Sequence, residues 1–357
     1  MMHRRIERVM SGASHHPVAR LMRLGLGVVE PVYREVVRRR NAAFDGGRRS
    51  VADLGRPVVS VGNLTTGGTG KTPMVVALAR WLVAAGHRPA VLLRGYRGEK
   101  DAGLDGGPRR MDSDEAREYL AALPGVPVAA DPDRERSAAW VLRRRPEVDV
   151  FLLDDGFQRR QVRRDVDLVL IDATNPFGFG HLLPRGLLRE PVAGLRRADG
   201  VIITRGGRVK EPELVAIERR VAEVAGDIPV ARAESVWTGL MTGEGERAVS
   251  WLEGRRVYAA AGIGNPWPFL AMAHEASEVV GEAVFDDHHV YGAGDVGRMA
   301  AEARACGAEV VLTTEKDWVK LGERAEGLGL PVVRPVLATR MVRGGEVIES
   351  LIGRVLS

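Results

Sequence analysis

The chain has 357 residues, 45% apolar and 28% charged, which is long enough for two domains and too well mixed for a disordered polymer. Its net charge of +5 is unevenly placed: residues 1–56 carry 12 arginines against five acids, a local +7, and the remaining 301 residues sum to −2. A basic segment on a near-neutral body predicts a local anionic contact and argues against a nucleic-acid groove across the whole molecule. The single cysteine, Cys306, excludes an internal disulfide and a Cys-type zinc site and fits a reducing compartment. Residues 24–29 form an apolar run far short of the about 20 residues that span a bilayer, and no signal-peptide core is evident. The chain is expected in the cytosol or on its membrane face.

The first predicted element is a helix. Val18, Leu21, Met22, Val28, Val29, Val32 and Val36 recur with the spacing of one helical face, and Pro31 should kink or divide it. Two readings stand: a helix packed on its own domain, or an interfacial helix whose apolar stripe enters lipid while Arg20, Arg23, Arg34, Arg38, Arg39 and Arg40 meet anionic headgroups. The charge count favours lipid. From residue 56 short buried runs alternate with helical segments: strands at 57–62, 90–94, 126–130, 148–153, 168–172 and 200–204, with a helix at 73–85. That alternation predicts βαβ units and a parallel sheet. It resumes at 256–261, 282–285, 310–313 and 331–333. The expected architecture is α/β, a P-loop NTPase-like sheet domain over 56–245, preceded by a basic amphipathic segment over 1–55 and followed by a smaller α/β lobe over 246–357.

The strongest chemical signal is TTGGTGKT, comprising Thr65, Thr66, Gly67, Gly68, Thr69, Gly70, Lys71 and Thr72, between a predicted strand and a predicted helix. Glycines turn backbone N–H groups toward phosphates and the helix N-terminus adds a favourable dipole. Lys71 would reach the β and γ phosphates of ATP, and Thr72 would offer its hydroxyl to Mg²⁺. Thr65 stands where the usual motif has its first glycine. VFLLDD at 150–155 reads as a buried strand ending in two carboxylates. Successive strand side chains point opposite ways, so one of Asp154 and Asp155 is expected to orient Mg²⁺ or its water and the other to hold a loop or partner. FDDHHVY at 285–291 reads as solvated loop histidines or as a His–Asp pair for proton transfer, the latter more economical than a metal site because no third ligand is apparent. SDEA at 113–116 places Asp114 or Glu115 at a helix start, with Ser113 or Asp112 as N-cap.

Taken in order, these runs resemble the tetraacyldisaccharide 4′-kinase family. The matching segments are VGNLTTGGTGKTP (61–73), LRGYRG (93–98), Asp133-Arg134, LLDDGFQ (152–158), LLPRGLLREP (182–191), AGIGNPWPF (261–269), DHHVY (287–291) and LTTEKDWVKL (312–321). The resemblance covers roughly residues 15–345. The resemblance implies transfer of the ATP γ-phosphate to the 4′-hydroxyl of a tetraacyldisaccharide 1-phosphate, a step of lipid A biosynthesis, on the cytoplasmic face of a Gram-negative inner membrane. It implies Glu190, with Arg189, as a further contributor at the metal beside Thr72, Asp154 and Asp155. It also implies Asp114 and His288 as acid–base partners, with Asp287 orienting the imidazole and Arg134 or Arg189 assisting Lys71. The sequence departs from the family at Ser113-Asp114-Glu115-Ala116, where Gly-Asp-Glu-Pro is usual, and at Arg159, where His is common. Two other functions remain compatible with the phosphate loop: a kinase for a soluble small molecule, and a nucleotide-dependent switch or metallochaperone.

Overall fold

A computed structural model describes residues 9–12, 14–95, 113–287 and 289–356. The chain divides into two compact units, one of residues 2–235 with 339–357, the other of residues 236–338. This differs from the boundary read from sequence. The last helix, Gly345–Leu356, returns to the first unit because Ile348 and Ile352 are buried in the same cluster as Val59, Val61 and Met74.

In the larger unit the helix α1 (Pro17–Asp45) runs through Pro31 as one element. It is followed by β1 (Val58–Asn63), α2 (Lys71–Ala84), β2 (Pro89–Leu93), α3 (Asp114–Ala122), β3 (Val128–Ala130), α4 (Arg134–Arg144), β4 (Val150–Asp154), β5 (Val166–Asp172), β6 (Gly200–Thr204), α5 (Glu211–Ala225) and the start of β7 (Val230–Thr242). The strands lie in the order β7-β6-β5-β1-β4-β2-β3, and each neighbouring pair is parallel. Every residue of β1, β2 and β4 is buried, the continuous apolar pattern of a sheet covered on both faces. Alternation sorts them. Val59, Val61, Val150 and Leu152 join Met74, Leu78 and Leu82 of α2 on one face, while Val58, Phe151 and Leu153 join Ala138 and Val141 of α4 on the other.

The smaller unit holds β8 (Gly245–Arg247), β9 (Arg256–Ala261), α6 (Trp267–Ala276), β10 (Glu278–Val284), α7 (Ala293–Ala305), β11 (Val310–Thr313), α8 (Glu315–Leu321) and the start of β12 (Val332–Arg343); the helix after β12 is α9. Its sheet order is β10-β9-β11-β12, parallel throughout.

Candidate active site

β1 and β4 are adjacent, with Val61 opposite Asp154, so their C-terminal ends bring the phosphate loop and the acid pair together. This is the edge of an open α/β sheet where ligands bind. Gly70 caps α2 at φ +86°, a left-handed conformation that glycine adopts without penalty. Gly62 serves the other side of the junction: a Cβ there would lie 2.5 Å from the Cβ of Phe157. Only a glycine lets the turn after β4 cross β1 so closely.

Lys71 opens α2 and reaches back toward the strand ends. Its ammonium donates to Asn63 Oδ1 at 3.2 Å and lies 3.5 Å from Asp155 Oδ1. Asn63 in turn donates to the Thr65 carbonyl at 2.9 Å, and the Thr204 hydroxyl donates to the Thr69 carbonyl at 3.0 Å. The run 182–191 braces the same loop from outside. Thr66 N–H donates to the Leu187 carbonyl at 2.7 Å, and Arg189 N–H donates to the Leu64 carbonyl at 2.8 Å.

The two aspartates differ sharply. Asp154 ends β4, is buried, and accepts the Tyr119 hydroxyl on Oδ2 at 3.0 Å, while its Oδ1 has no partner. Burial pushes its pKa up to about 6, with Asp155 adding to the rise and Lys71 opposing it. Asp155 has φ +52°, which turns its carboxylate to Lys71 and to Arg189 Nη1 at 2.8 Å. Burial raises its pKa, but the Lys71 and Arg189 charges outweigh burial and hold it below the usual carboxylate value. Arg134 is buried with Nε and Nη2 unpartnered. Burial, reinforced by the Arg159 charge, draws its pKa down to about 10, against the pull of Asp154 and Asp155. Guanidinium groups at Arg134, Arg159 and Arg189 thus surround two acids, a charge pattern suited to a polyanion.

Glu190 is wholly buried and both its oxygens are engaged. Gln158 Nε2 donates to Oε1 at 2.9 Å and Arg197 Nη2 to Oε2 at 2.7 Å, with Asn41 Nδ2 at 3.4 Å. Gln158 Oε1 accepts Arg189 Nη1 at 3.2 Å, which links Glu190 to Asp155 through two side chains. The resemblance implies Glu190 as a contributor at the metal; here each of its oxygens accepts from a protein donor.

The groups available for a divalent cation fit Mg²⁺, which takes one or two carboxylates together with substrate phosphates and water. Asp154 Oδ1 is an orphaned buried acceptor, and Thr72 follows Lys71 in the first turn of α2. Among the described residues no group of three or more His, Cys, Asp and Glu forms a metal cage.

Asp114 is the first residue of α3, whose N-cap is Ser113: its Oγ accepts the Ala116 N–H at 3.2 Å. His288 lies outside the described residues. In the smaller unit Asp287 follows β10, and its Oδ2 lies 3.0 Å from where a Cβ on Gly264 would sit. The neighbouring His289 stacks on Phe285 at 4.7 Å and meets Asp295 at 3.1 Å.

The inner side of α1 is pinned to the brace of the phosphate loop. Glu30 Oε1 accepts Leu182 N–H at 3.1 Å, His181 Nδ1 lies 3.0 Å from Oε2, and the Tyr33 hydroxyl donates to the Arg189 carbonyl at 3.0 Å. The outer side holds the predicted stripe in the open, with Leu21 71% and Val28 76% exposed beside Val18, Met22, Leu24, Val29, Val32 and Val36. The stripe therefore does not pack on its own domain. Among the described residues no helix is long and apolar enough to cross a membrane.

The family model for tetraacyldisaccharide-1-P 4′-kinase matches residues 22–346. The chain is 39% identical over 327 residues to the tetraacyldisaccharide 4′-kinase of Geobacter metallireducens, covering 87% of this chain and 92% of that protein. It is 38% identical over 347 residues to the Anaeromyxobacter dehalogenans protein of the same name, covering 94% and 91%. Among solved structures, LpxK from Aquifex aeolicus in complex with ATP matches with a TM-score of 0.70 and 27% identity, over 94% of this chain and 100% of that one.

Proposed function

We propose, since the chain belongs to the tetraacyldisaccharide-1-P 4′-kinase family, that it transfers the γ-phosphoryl group of ATP to the 4′-hydroxyl of a tetraacyldisaccharide 1-phosphate. The observation that carries this reading is the junction of β1 and β4, where Lys71 is held between Asn63 and Asp155 at the mouth of the phosphate loop. An alcohol attacking a phosphoryl group needs alignment, neutralisation of the transferred oxygens and a proton acceptor. The backbone of residues 65–70 and the N-terminus of α2 orient the triphosphate, and Lys71 exchanges Asp155 for the β and γ phosphates. Thr72, Asp154 and Asp155 hold Mg²⁺, which when bound neutralises charge on the phosphate oxygens. Glu190 serves that group from behind, fixing Arg189 and through it Asp155. Arg134 and Arg189 supply further positive charge. For the proton the resemblance to the family implies Asp114, with His288 and Asp287.

The acceptor is a lipid, and the exposed stripe on α1, flanked by the exposed Arg20, Arg34, Arg38 and Arg39, supports docking on an anionic surface. We place that surface at the cytoplasmic face of the inner membrane. The decisive test incubates purified protein with Mg²⁺-ATP and tetraacyldisaccharide 1-phosphate and weighs the lipid by mass spectrometry. A gain of one phosphate, absent with Lys71→Ala, is expected; an unchanged lipid would overturn the reading.

A further inference from the structure

Of the side chains around the phosphate loop, Tyr119 is one that no sequence motif singles out, and it touches Asp154, one of the groups assigned to the metal. It lies on α3, five residues after Asp114, with no exposed surface. Its ring belongs to the cluster of Val59, Val61, Met74 and Val75, so its hydroxyl is held in place by packing and not by solvent. That hydroxyl donates to Asp154 Oδ2 at 3.0 Å.

Proton counting gives this arrangement a direction. A phenol has one proton, and here it goes to the carboxylate. Asp154 Oδ2 is thereby committed, which leaves Oδ1, the buried atom without a partner. A carboxylate oxygen free of protein donors is what a hard divalent cation takes from a P-loop site.

We propose that Tyr119 is a positioning residue for the metal: its hydroxyl fixes the orientation of Asp154 so that Oδ1 is ready for a divalent cation. The same side chain ties that site to α3, the helix that Asp114 opens. The proposal rests on the kinase reading above and deepens it. Outer ligand partners of this kind are worth about 10- to 100-fold in metal affinity.

The test uses the full chain and a non-hydrolysable ATP analogue in isothermal titration calorimetry, with Mg²⁺ and with EDTA. The ratio of the two dissociation constants reports coupling between nucleotide and metal, without turnover. Tyr119→Phe keeps the ring and removes the hydroxyl. It is expected to leave the EDTA value near wild type and to shrink the ratio by about 10-fold or more. A merely structural role would lower thermal stability and leave the ratio alone, which would overturn the proposal. A wild-type ratio of one would overturn the kinase reading together with it. Should Tyr119→Phe fail to fold, 3-fluorotyrosine placed at 119 retains the hydroxyl. Its fluorine resonance is expected to shift when Mg²⁺ is added to the nucleotide-bound protein, and a signal that ignores Mg²⁺ would also overturn the proposal.

Discussion

The junction of β1 and β4 and the outer face of α1 break the usual sorting of residues in opposite senses. At the junction charge is taken out of water: Asp154, Glu190 and Arg134 are buried. On α1 hydrocarbon is left in water, with eight large apolar residues between Val18 and Val36 exposed. A buried charge and an exposed apolar patch are the informative exceptions in a folded protein, because each costs stability. The comparison shows where the stability cost is accepted for function. In the proposed reading one region takes a polyanion and a cation and the other a lipid surface, and residues 181–190 connect them through Glu30, Tyr33 and Asn41.

Removing charge from the junction should give the largest effect. Lys71→Ala is expected to reduce kcat by about 10³-fold, on the order of 4 kcal/mol, with a melting temperature close to wild type; a milder loss in steady-state kinetics would show that the arginines carry the charge neutralisation. Glu190→Ala strands Arg197 and Gln158 without their acceptor, and chemical denaturation should show a loss of about 3 kcal/mol. Glu190→Gln retains an acceptor and should lose less.

The acid pair offers a sharper probe. Burial raises the Asp154 pKa from 3.8 to about 6, so the native state favours the protonated acid. Its stabilising contribution is full below pH 4 and is lost as pH rises through 6, on the order of 2–3 kcal/mol. In nucleotide-free protein the stability of wild type relative to Asp154→Asn should therefore fall between pH 4 and 6. A flat difference across that window would show that Asp154 is better solvated than its surroundings indicate.

The smallest effect belongs to the lipid side. Replacing Leu21, Leu24 and Val28 by serine should weaken sedimentation with anionic vesicles by at least about 10-fold and leave ATP binding unchanged. Equal vesicle binding would dissociate the stripe from the membrane.

Much of this was legible in the sequence. The phosphate loop is local, its glycines and Lys71-Thr72 lying between a strand and a helix, and LLDD announces a buried strand ending in acids. Short apolar runs marked β1, β2, β4, β5 and β6 to within a few residues. What stayed hidden depends on long-range pairing. Tyr119 reads as one more apolar position in DEAREYLAA, and only folding brings it to Asp154, 35 residues away. Likewise LLPRGLLREP gives no sign that its backbone braces Thr66, or that Glu190 would spend both oxygens on Gln158 and Arg197. β7 (Val230–Thr242) was missed because its mixed polar pattern lacks the apolar run of its neighbours.

The most direct measurement follows label from γ-labelled ATP into acceptor lipid carried in anionic vesicles, for wild type, Lys71→Ala and the triple serine variant. Wild type should label the lipid, Lys71→Ala should not, and the triple variant should fail on vesicles yet recover in detergent micelles. Wild-type protein that hydrolyses ATP and leaves the lipid unlabelled in both settings would contradict the account.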